Sequence, residues 1–264
     1  MALRLATWNV NSIRLRLDNL ARFVEHWRPD AICMQEIKVQ DEHFPNDRLL
    51  PGDYPHRLWR GMKSYNGVAI LSRLPLGAVT GPDWCRKGDC RHVAATLPGG
   101  IELHNFYVPA GGDIPDPKAN PKFAHKLQFL DEMTDWFAAE RTARRKMVLV
   151  GDLNIAPLEQ DVWSHKELLD VVSHTPVEVE RMGKLRDGLG WVDAVRHFVP
   201  ATEKLYSWWS YRARDWDLSD RGRRLDHVWV TTPLKSALAG AAILREARGW
   251  TQPSDHAPVI VDLA

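Results

Sequence analysis

The chain has 264 residues, of which 44% are hydrophobic and 26% charged, with a formal net charge of +1. That composition excludes a disordered or fibrous chain and supplies enough apolar residues for a sizeable core. It also excludes an overall polyanion-binding charge, so any contact with nucleic acid must rest on local positive charge.

In chain order, residues 3–8 read as a strand that ends in Asn9-Val10-Asn11. A strand this early leaves no room for a removable leader. Leu17, Leu20, Val24 and Trp27 recur at helical spacing, and Pro29 follows as a stop. Residues 30–34 form a second strand ending in Gln35-Glu36, and residues 101–106 a third ending in Tyr107. A long polar loop over 109–121 precedes Phe123, Leu127, Leu130 and Phe137, whose spacing predicts a helix from Lys122 to about Arg145. The basic run Arg141, Arg144, Arg145 and Lys146 reads as its solvated C-terminus. Residues 147–150 are a strand ending in Gly151-Asp152-Leu153-Asn154, and residues 187–198 are predicted as a third helix. After a second polar loop over 210–224, Arg224-Leu225-Asp226-His227 opens onto a strand at 228–230. Ser254-Asp255-His256-Ala257-Pro258 precedes the last strand at 259–261. Strands alternating with helices give an α/β chain. With no repeat and no linker, residues 1–264 are expected to be one domain.

Each strand end carries groups suited to chemistry. In an extended chain Asp152 and Asn154 share a face, as do Asn9 and Asn11. An Asn amide can orient a carboxylate that takes a proton from water. A plain turn accounts for Gly151-Asp152-Leu153-Asn154 equally well. Asp255 and His256, being adjacent, face opposite sides, so His256 needs a carboxylate from elsewhere, and Asp226 is the candidate. Glu36, at the end of a buried strand, is placed to hold a hard cation. Arg212, Arg214, Arg221, Arg223 and Arg224 surround Trp208, Trp209, Tyr211 and Trp216, a mixture suited to phosphate contact and stacking. Trp27, Trp136 and Trp191 are assigned to apolar helical faces. Cys33, Cys85 and Cys90 are odd in number and lack metal-ligand spacing, which argues against a disulfide framework and for a reducing, cytoplasmic setting. No apolar run approaches membrane-spanning length.

Taken in order, Asn9-Val10-Asn11, Gln35-Glu36-Ile37-Lys38, Tyr107-Val108-Pro109, Gly151-Asp152-Leu153-Asn154, Ser207-Trp208-Trp209-Ser210-Tyr211-Arg212, Arg224-Leu225-Asp226 and Ser254-Asp255-His256-Ala257-Pro258 resemble the exonuclease III/apurinic endonuclease family over nearly the whole chain. The resemblance implies a four-layer α/β sandwich, two packed mixed β-sheets flanked by helices, with the strand ends meeting at one rim. It implies a DNA repair phosphodiesterase that incises beside abasic sites, degrades 3′ ends as an exonuclease and removes 3′-phosphates, with double-stranded DNA as partner; a monomer is the default expectation. Mg²⁺ is the implied cofactor, with Mn²⁺ as a substitute. Glu36 is then the principal metal ligand, with Asn11 and Asp255 close by and Asp152 and Asn154 adjoining. Asp152, oriented by Asn154, activates or positions the attacking water, and His256, paired with Asp226, holds a phosphate oxygen. Tyr107 lies near the scissile phosphate and Asn9 supports the site. Trp208, Trp209, Tyr211, Arg212, Arg223 and Leu225 are the implied DNA-binding residues.

Two positions depart from the family pattern. Ala110, followed by Gly111-Gly112-Asp113, replaces a phosphate-contacting Asn or Gln, and Arg223 replaces an apolar residue that helps line an abasic-sugar pocket. With both, hydrolysis is still expected, whereas the strength of abasic-site preference is put in question. Two competing readings remain: a phosphoesterase of the same fold acting on other phosphoesters, and a nucleic-acid-binding protein without catalysis.

Overall fold

Residues 2–50 and 52–264 are described in a computed structural model. The strands in chain order are β1 (Leu3–Asn9), β2 (Ala31–Gln35), β3 (His56–Arg60), β4 (Val68–Ser72), β5 (Gly77–Val79), β6 (His92–Leu97) and β7 (Ile101–Tyr107). They continue as β8 (Met147–Asp152), β9 (Val192–Asp193), β10 (Trp208–Trp209), β11 (Gly222–Arg223), β12 (Asp226–Val230), β13 (Leu238–Ile243) and β14 (Val259–Leu263). The α-helices are α1 (Leu17–Trp27), α2 (Pro121–Glu140), α3 (His165–Leu168), α4 (Pro176–Gly188), α5 (Trp216–Ser219) and α6 (Thr232–Lys235).

Two six-stranded sheets result, ordered β13-β14-β1-β2-β4-β3 and β5-β6-β7-β8-β12-β9. Each is mixed, with one parallel pair at its centre, β1–β2 and β7–β8. Alternation sorts their side chains. Leu3 and Leu5 of β1, Cys33 of β2, Val148 and Val150 of β8, and Val228 and Val230 of β12 meet in one core between the sheets. The opposite rows pack outward. Ala6, Trp8, Ile32 and Met34 lie with Phe23 of α1, whereas Leu149, Phe106 and Trp229 lie with Phe129, Phe137 and Met182 of α2 and α4. The four layers are therefore helix, sheet, sheet, helix.

The helices follow local rules with one correction. In α1, Leu20, Phe23 and Val24 are buried, and the chain leaves it through Arg28 in the left-handed region. Asn120 caps α2 by accepting the Lys122 N–H, with Pro121 in the first turn. α2 ends at Glu140, short of Arg145, where Arg141 turns extended. The third long helix is not at 187–198. It is α4, opened by a Thr175–Glu178 capping box with Pro176 in its first turn. Gly190, at φ +62°, ends any continuation, and β9 pairs with β12 instead. Trp191 is thus buried against the α2–α4 layer without being helical.

Candidate active site

The site is where the inward rows of both sheets change from apolar to polar. On β8 the row Val148–Val150 continues to Asp152, and on β12 the row Val230–Val228 continues to Asp226. On β1 it continues through Thr7 to Asn9, on β2 to Gln35, and on β7 to Asn105 and Tyr107. Below the rim, Gln35 donates to Thr7 Oγ1 at 2.9 Å and Asn105 Oδ1 at 2.6 Å. Asn105 donates on to the Met34 and Ala69 carbonyls, so the two sheets are tied together under the site. Gly151-Asp152 is strand, not turn. Gly151 has φ +137°, and a Cβ there would overlap the Phe106 carbonyl. β8 therefore admits only glycine at the position before the carboxylate.

Asn9 is the central clamp. Its Nδ2 donates to Glu36 Oε1 and to Asp152 Oδ2, each at 2.9 Å, joining the two sheets' carboxylates. Glu36 reaches the site because its φ of 50° breaks the strand alternation after Gln35. The Asn11 side chain donates to Asp255 Oδ1 at 2.9 Å, and Lys38 Nζ lies between Asn11 Oδ1 and Glu36 Oε2. His256 Nδ1 is 2.8 Å from Asp226 Oδ2, and its Nε2 is 3.6 Å from Asp152 Oδ2. Asp255 points the other way and accepts from Trp208 Nε1 at 2.9 Å. Asn154 orients Asp152 through its backbone, whose N–H donates to Asp152 Oδ1 at 2.9 Å. The side-chain amide expected to do so donates instead to the Val108 carbonyl.

Burial sets the electrostatics. Asp152 is raised to about 7, first by desolvation and then by Asp226 and Glu36, against His256 and the Asn9 bond. Burial opposes a charge on His256, but Asp226, Asp152 and Asp255 outweigh it and raise it to about 10. The site thus pairs an imidazolium with a carboxyl group that titrates near neutrality. Burial holds the Tyr107 phenol well above its ordinary value, reinforced by Glu36 and Asp152, so it stays protonated.

Glu36, Asn11 and Asp255 offer oxygen donors of the kind a hard divalent cation takes, and the ammonium of Lys38 lies between two of them, where positive charge is welcome. Asp152, Asp226 and His256 also gather ligand atoms within 4.8 Å of one another. In that second group Asp226 and His256 already satisfy each other, and a cationic imidazole repels a metal.

The aromatic–arginine segment divides. Trp208 and Arg223 line a cleft of about 610 Å³ beside the site, with Trp163, Arg212 and Arg221. Tyr211 is 48% exposed, and Arg212 is exposed next to it. Trp209 is not a surface for DNA. It is 2% exposed, packed on Tyr206 and Ala257, with its indole N–H on Asp220. Leu225 is likewise buried, at 5%, behind Trp208. Trp209 takes the opposite side of β10 from Trp208, against Tyr206 and Ala257, and Leu225 packs with Ala156, Val162 and Leu168 in a stretch, Arg224–His227, that is buried throughout. Arg224 is buried between Asp161 and Asp193 and braces this corner.

Three supports carry no role in the sequence reading. Ser207 Oγ donates to Asp226 Oδ2 at 2.6 Å while accepting the Leu225 and Asp226 N–H groups. Ser254 Oγ donates to the Asn9 carbonyl at 2.6 Å. Each serine opens a motif, which was the available signal. Lys126, buried in α2 with only an apolar helical spacing around it, gives no such signal. Its ammonium binds the Asn154 carbonyl at 2.7 Å and Glu178 at 2.5 Å.

Comparison with known proteins gives one consistent answer. The model of the Endonuclease/Exonuclease/phosphatase family matches residues 6–256. Exodeoxyribonuclease III of Haemophilus influenzae is 29% identical over 269 residues, covering 97% of this chain and 98% of that protein. An AP endonuclease from Archaeoglobus fulgidus superposes with a TM-score of 0.90 at 32% identity, covering 98% of each chain. The 3′-phosphatase NExo from Neisseria, solved with a product DNA hairpin, superposes with a TM-score of 0.91 at 32% identity, covering 99% of each.

Proposed function

The chain belongs to the endonuclease/exonuclease/phosphatase family, and from that premise we propose that it is a Mg²⁺-dependent DNA repair phosphodiesterase. It incises duplex DNA 5′ to abasic sites and trims 3′ ends by exonuclease and phosphatase action. The observation that carries this reading is the Asn9 clamp on Glu36 and Asp152, set against the Asp226–His256 pair 3.6 Å away. It puts an acid pair, a cation site and an imidazolium around one small space. Relatives and neighbours described as exodeoxyribonuclease III, AP endonuclease and 3′-phosphatase support DNA as the substrate.

Glu36, Asn11 and Asp255 would hold the metal, with the Asp152 and Asn154 oxygens adjoining. Mg²⁺, or Mn²⁺ in its place, supplies Lewis acidity and a template for the phosphate. Asp152 takes a proton from the attacking water. Its remaining lone pairs are fixed by Asn9 and by the Asn154 N–H, so the carboxylate is already oriented. His256 presents Nε2–H to a non-bridging phosphate oxygen, and Asp226, itself held by Ser207, maintains the imidazolium. The Tyr107 phenol donates to the same phosphate. Trp208, Tyr211, Arg212 and Arg223 contact the DNA, while Trp209 and Leu225 support them from the core. The free cysteines suit a cytoplasmic enzyme, and it acts as a monomer.

The test is a duplex with one tetrahydrofuran abasic analogue, incubated with Mg²⁺ or with EDTA, beside Asp152→Asn. Incision 5′ to the analogue that needs Mg²⁺ and disappears in the variant is the expected result. Absence of turnover on abasic, 3′-phosphate and plain duplexes alike, in protein shown to be folded, refutes the proposal.

A further inference from the structure

One fully buried cation has no part in the reaction as described. Lys126 lies on the inner face of α2 with Phe123, Leu127 and Leu130, and its counter-ion is Glu178 of α4, equally buried. The ammonium has three hydrogens and three acceptors: the Asn154 carbonyl at 2.7 Å, Glu178 Oε1 at 2.5 Å and the Ala110 carbonyl at 3.3 Å. Two of these are main-chain carbonyls, one on each loop that leaves the rim, after Tyr107 and after Asp152. A pair of charges taken out of water stabilises a fold little better than an apolar pair of similar volume. Two apolar side chains would therefore join α2 to α4 as well. What they lack is a directed donor to both loops.

The Asn154 turn requires such a donor. Asn154 is at φ 54°, in the left-handed region. Its N–H donates to Asp152 Oδ1 at 2.9 Å, and its side-chain amide donates to the Val108 carbonyl at 2.9 Å. The Val108 N–H returns to the Asp152 carbonyl at 2.9 Å. Lys126 takes the remaining main-chain group of Asn154, its carbonyl. The loop after Tyr107 is shaped to the lysine stem, since a Cβ on Gly111 would come within 2.9 Å of Lys126 Cδ. On the other side, Glu178 accepts from Ser173 N–H and from Thr175 Oγ1, and Ser173 Oγ accepts from Arg223 Nη1 at 2.7 Å.

We propose that Lys126 is a positioning residue of the reaction, which fixes the Asn154 turn and through it the direction of the Asp152 carboxylate. The inference rests on the nuclease reading of the site and adds a residue to it. Lys126 is buried away from any substrate, so it acts only through Asn154. Without it Asp152 stays on β8, but the turn that aims Oδ1 is released, and a reacting group misplaced by about 1 Å loses on the order of 10²-fold in rate.

The test compares wild type with Lys126→Met/Glu178→Gln. That double variant leaves no unpaired buried charge, and the new amide oxygen can still accept from Ser173 and Thr175, which keeps the cleft wall in place. Glu102→Gln, which weakens a buried ion pair away from the rim, measures what such a loss does by itself. On abasic duplex with Mg²⁺, kcat of the double variant should fall on the order of 10²-fold, with KM changed by less than about threefold. In metal-free protein without DNA, the Asn154 N–H should exchange about tenfold faster or more by NMR, while the Leu149 and Val150 amides within β8 keep their protection. If the methionine variant does not fold, Lys126→Gln/Glu178→Gln, whose amides can pair with each other, is read in the same way. Failure of both to fold makes the pair an element of folding and overturns the positioning role. So does a folded double variant whose kcat falls no further than that of Glu102→Gln, or whose Asn154 protection is unchanged. Wild-type turnover beside an unimpaired double variant overturns this inference alone. Absence of wild-type turnover on abasic, 3′-phosphate and plain duplexes overturns the nuclease reading and this inference with it.

Discussion

Two buried histidine–carboxylate pairs lie on opposite faces of the same sheet. At the rim, His256 is 2.8 Å from Asp226, with Asp152 and Asp255 near, and it is raised to about 10. On the outward face under α2, His104 is 2.7 Å from Glu102, yet its pKa is lowered. Desolvation is the largest influence on both, and it opposes the charge in both. The neighbours then differ. His104 is 3.1 Å from a second histidine, His92, and shares Glu102 with Arg141 and Arg145, so cations already satisfy its carboxylate. His256 faces several carboxylates, and among the described residues no arginine is paired with them. A buried histidine–acid pair is thus not a site by itself. The surplus of negative charge and an inward place at the rim separate the pair proposed for catalysis from the one without that setting.

That contrast breaks down or sharpens under substitution. The largest expected effect is at the rim: Asp152→Asn should lower kcat on abasic duplex on the order of 10³–10⁴-fold, with folding intact by circular dichroism. A loss below tenfold would deny it the role of base. His256→Gln should cost about 10²–10³-fold in kcat, with a smaller change in KM, because its donor acts on developing charge. Gly151→Ala, read by denaturant titration, should destabilise by about 2–4 kcal/mol through positive φ and collision with Phe106. Wild-type stability in that variant would show that β8 can relax.

The pH dependence of stability separates the two faces. His227, on the outward row of β12, is lowered to about 4, mainly by desolvation and then by Arg224. It stays neutral in the fold while the unfolded chain protonates, so its stability is lost as pH falls from about 6.5 to about 4. His92 and His104 act in the same direction. Asp152, raised to about 7, has the opposite sign: its contribution is full below its unfolded value and lost as pH rises through 7. His256 likewise contributes below about 6.5, and that is lost as pH rises through about 10. In metal-free protein the melting temperature should fall on the acid side, and fall more steeply in Asp152→Asn. A slope unchanged by that substitution would mean Asp152 is ionised throughout. The smallest effect on catalysis belongs to Glu102→Gln. It should leave kcat near wild type while costing about 1–3 kcal/mol in stability through the bonds it makes to His104 and the arginines.

The sequence by itself determined the alternating rows and the polar residues that end them. Asn9, Glu36, Tyr107 and Asp152 each close a strand or follow one, Asp226 opens one, and local alternation is a property of the chain. It also separated Asp255 from His256 and made Asp226 the candidate partner, because adjacent residues in a strand cannot share a face. It did not locate α4, since the capping box at Thr175–Glu178 and the break at Gly190 outweigh the apolar spacing beyond them. Nor did it distinguish Trp208 from Trp209, which differ in the side of β10 they take. Only the tertiary structure decided that Asn9 clamps a carboxylate 143 residues away, that Ser207 holds Asp226, and that Arg223 is seated on Ser173. The same holds for the charge on His256, because a pKa depends on burial and on every neighbour brought near. Those quantities come into being when the two sheets close on each other, and spacing along the chain does not encode them.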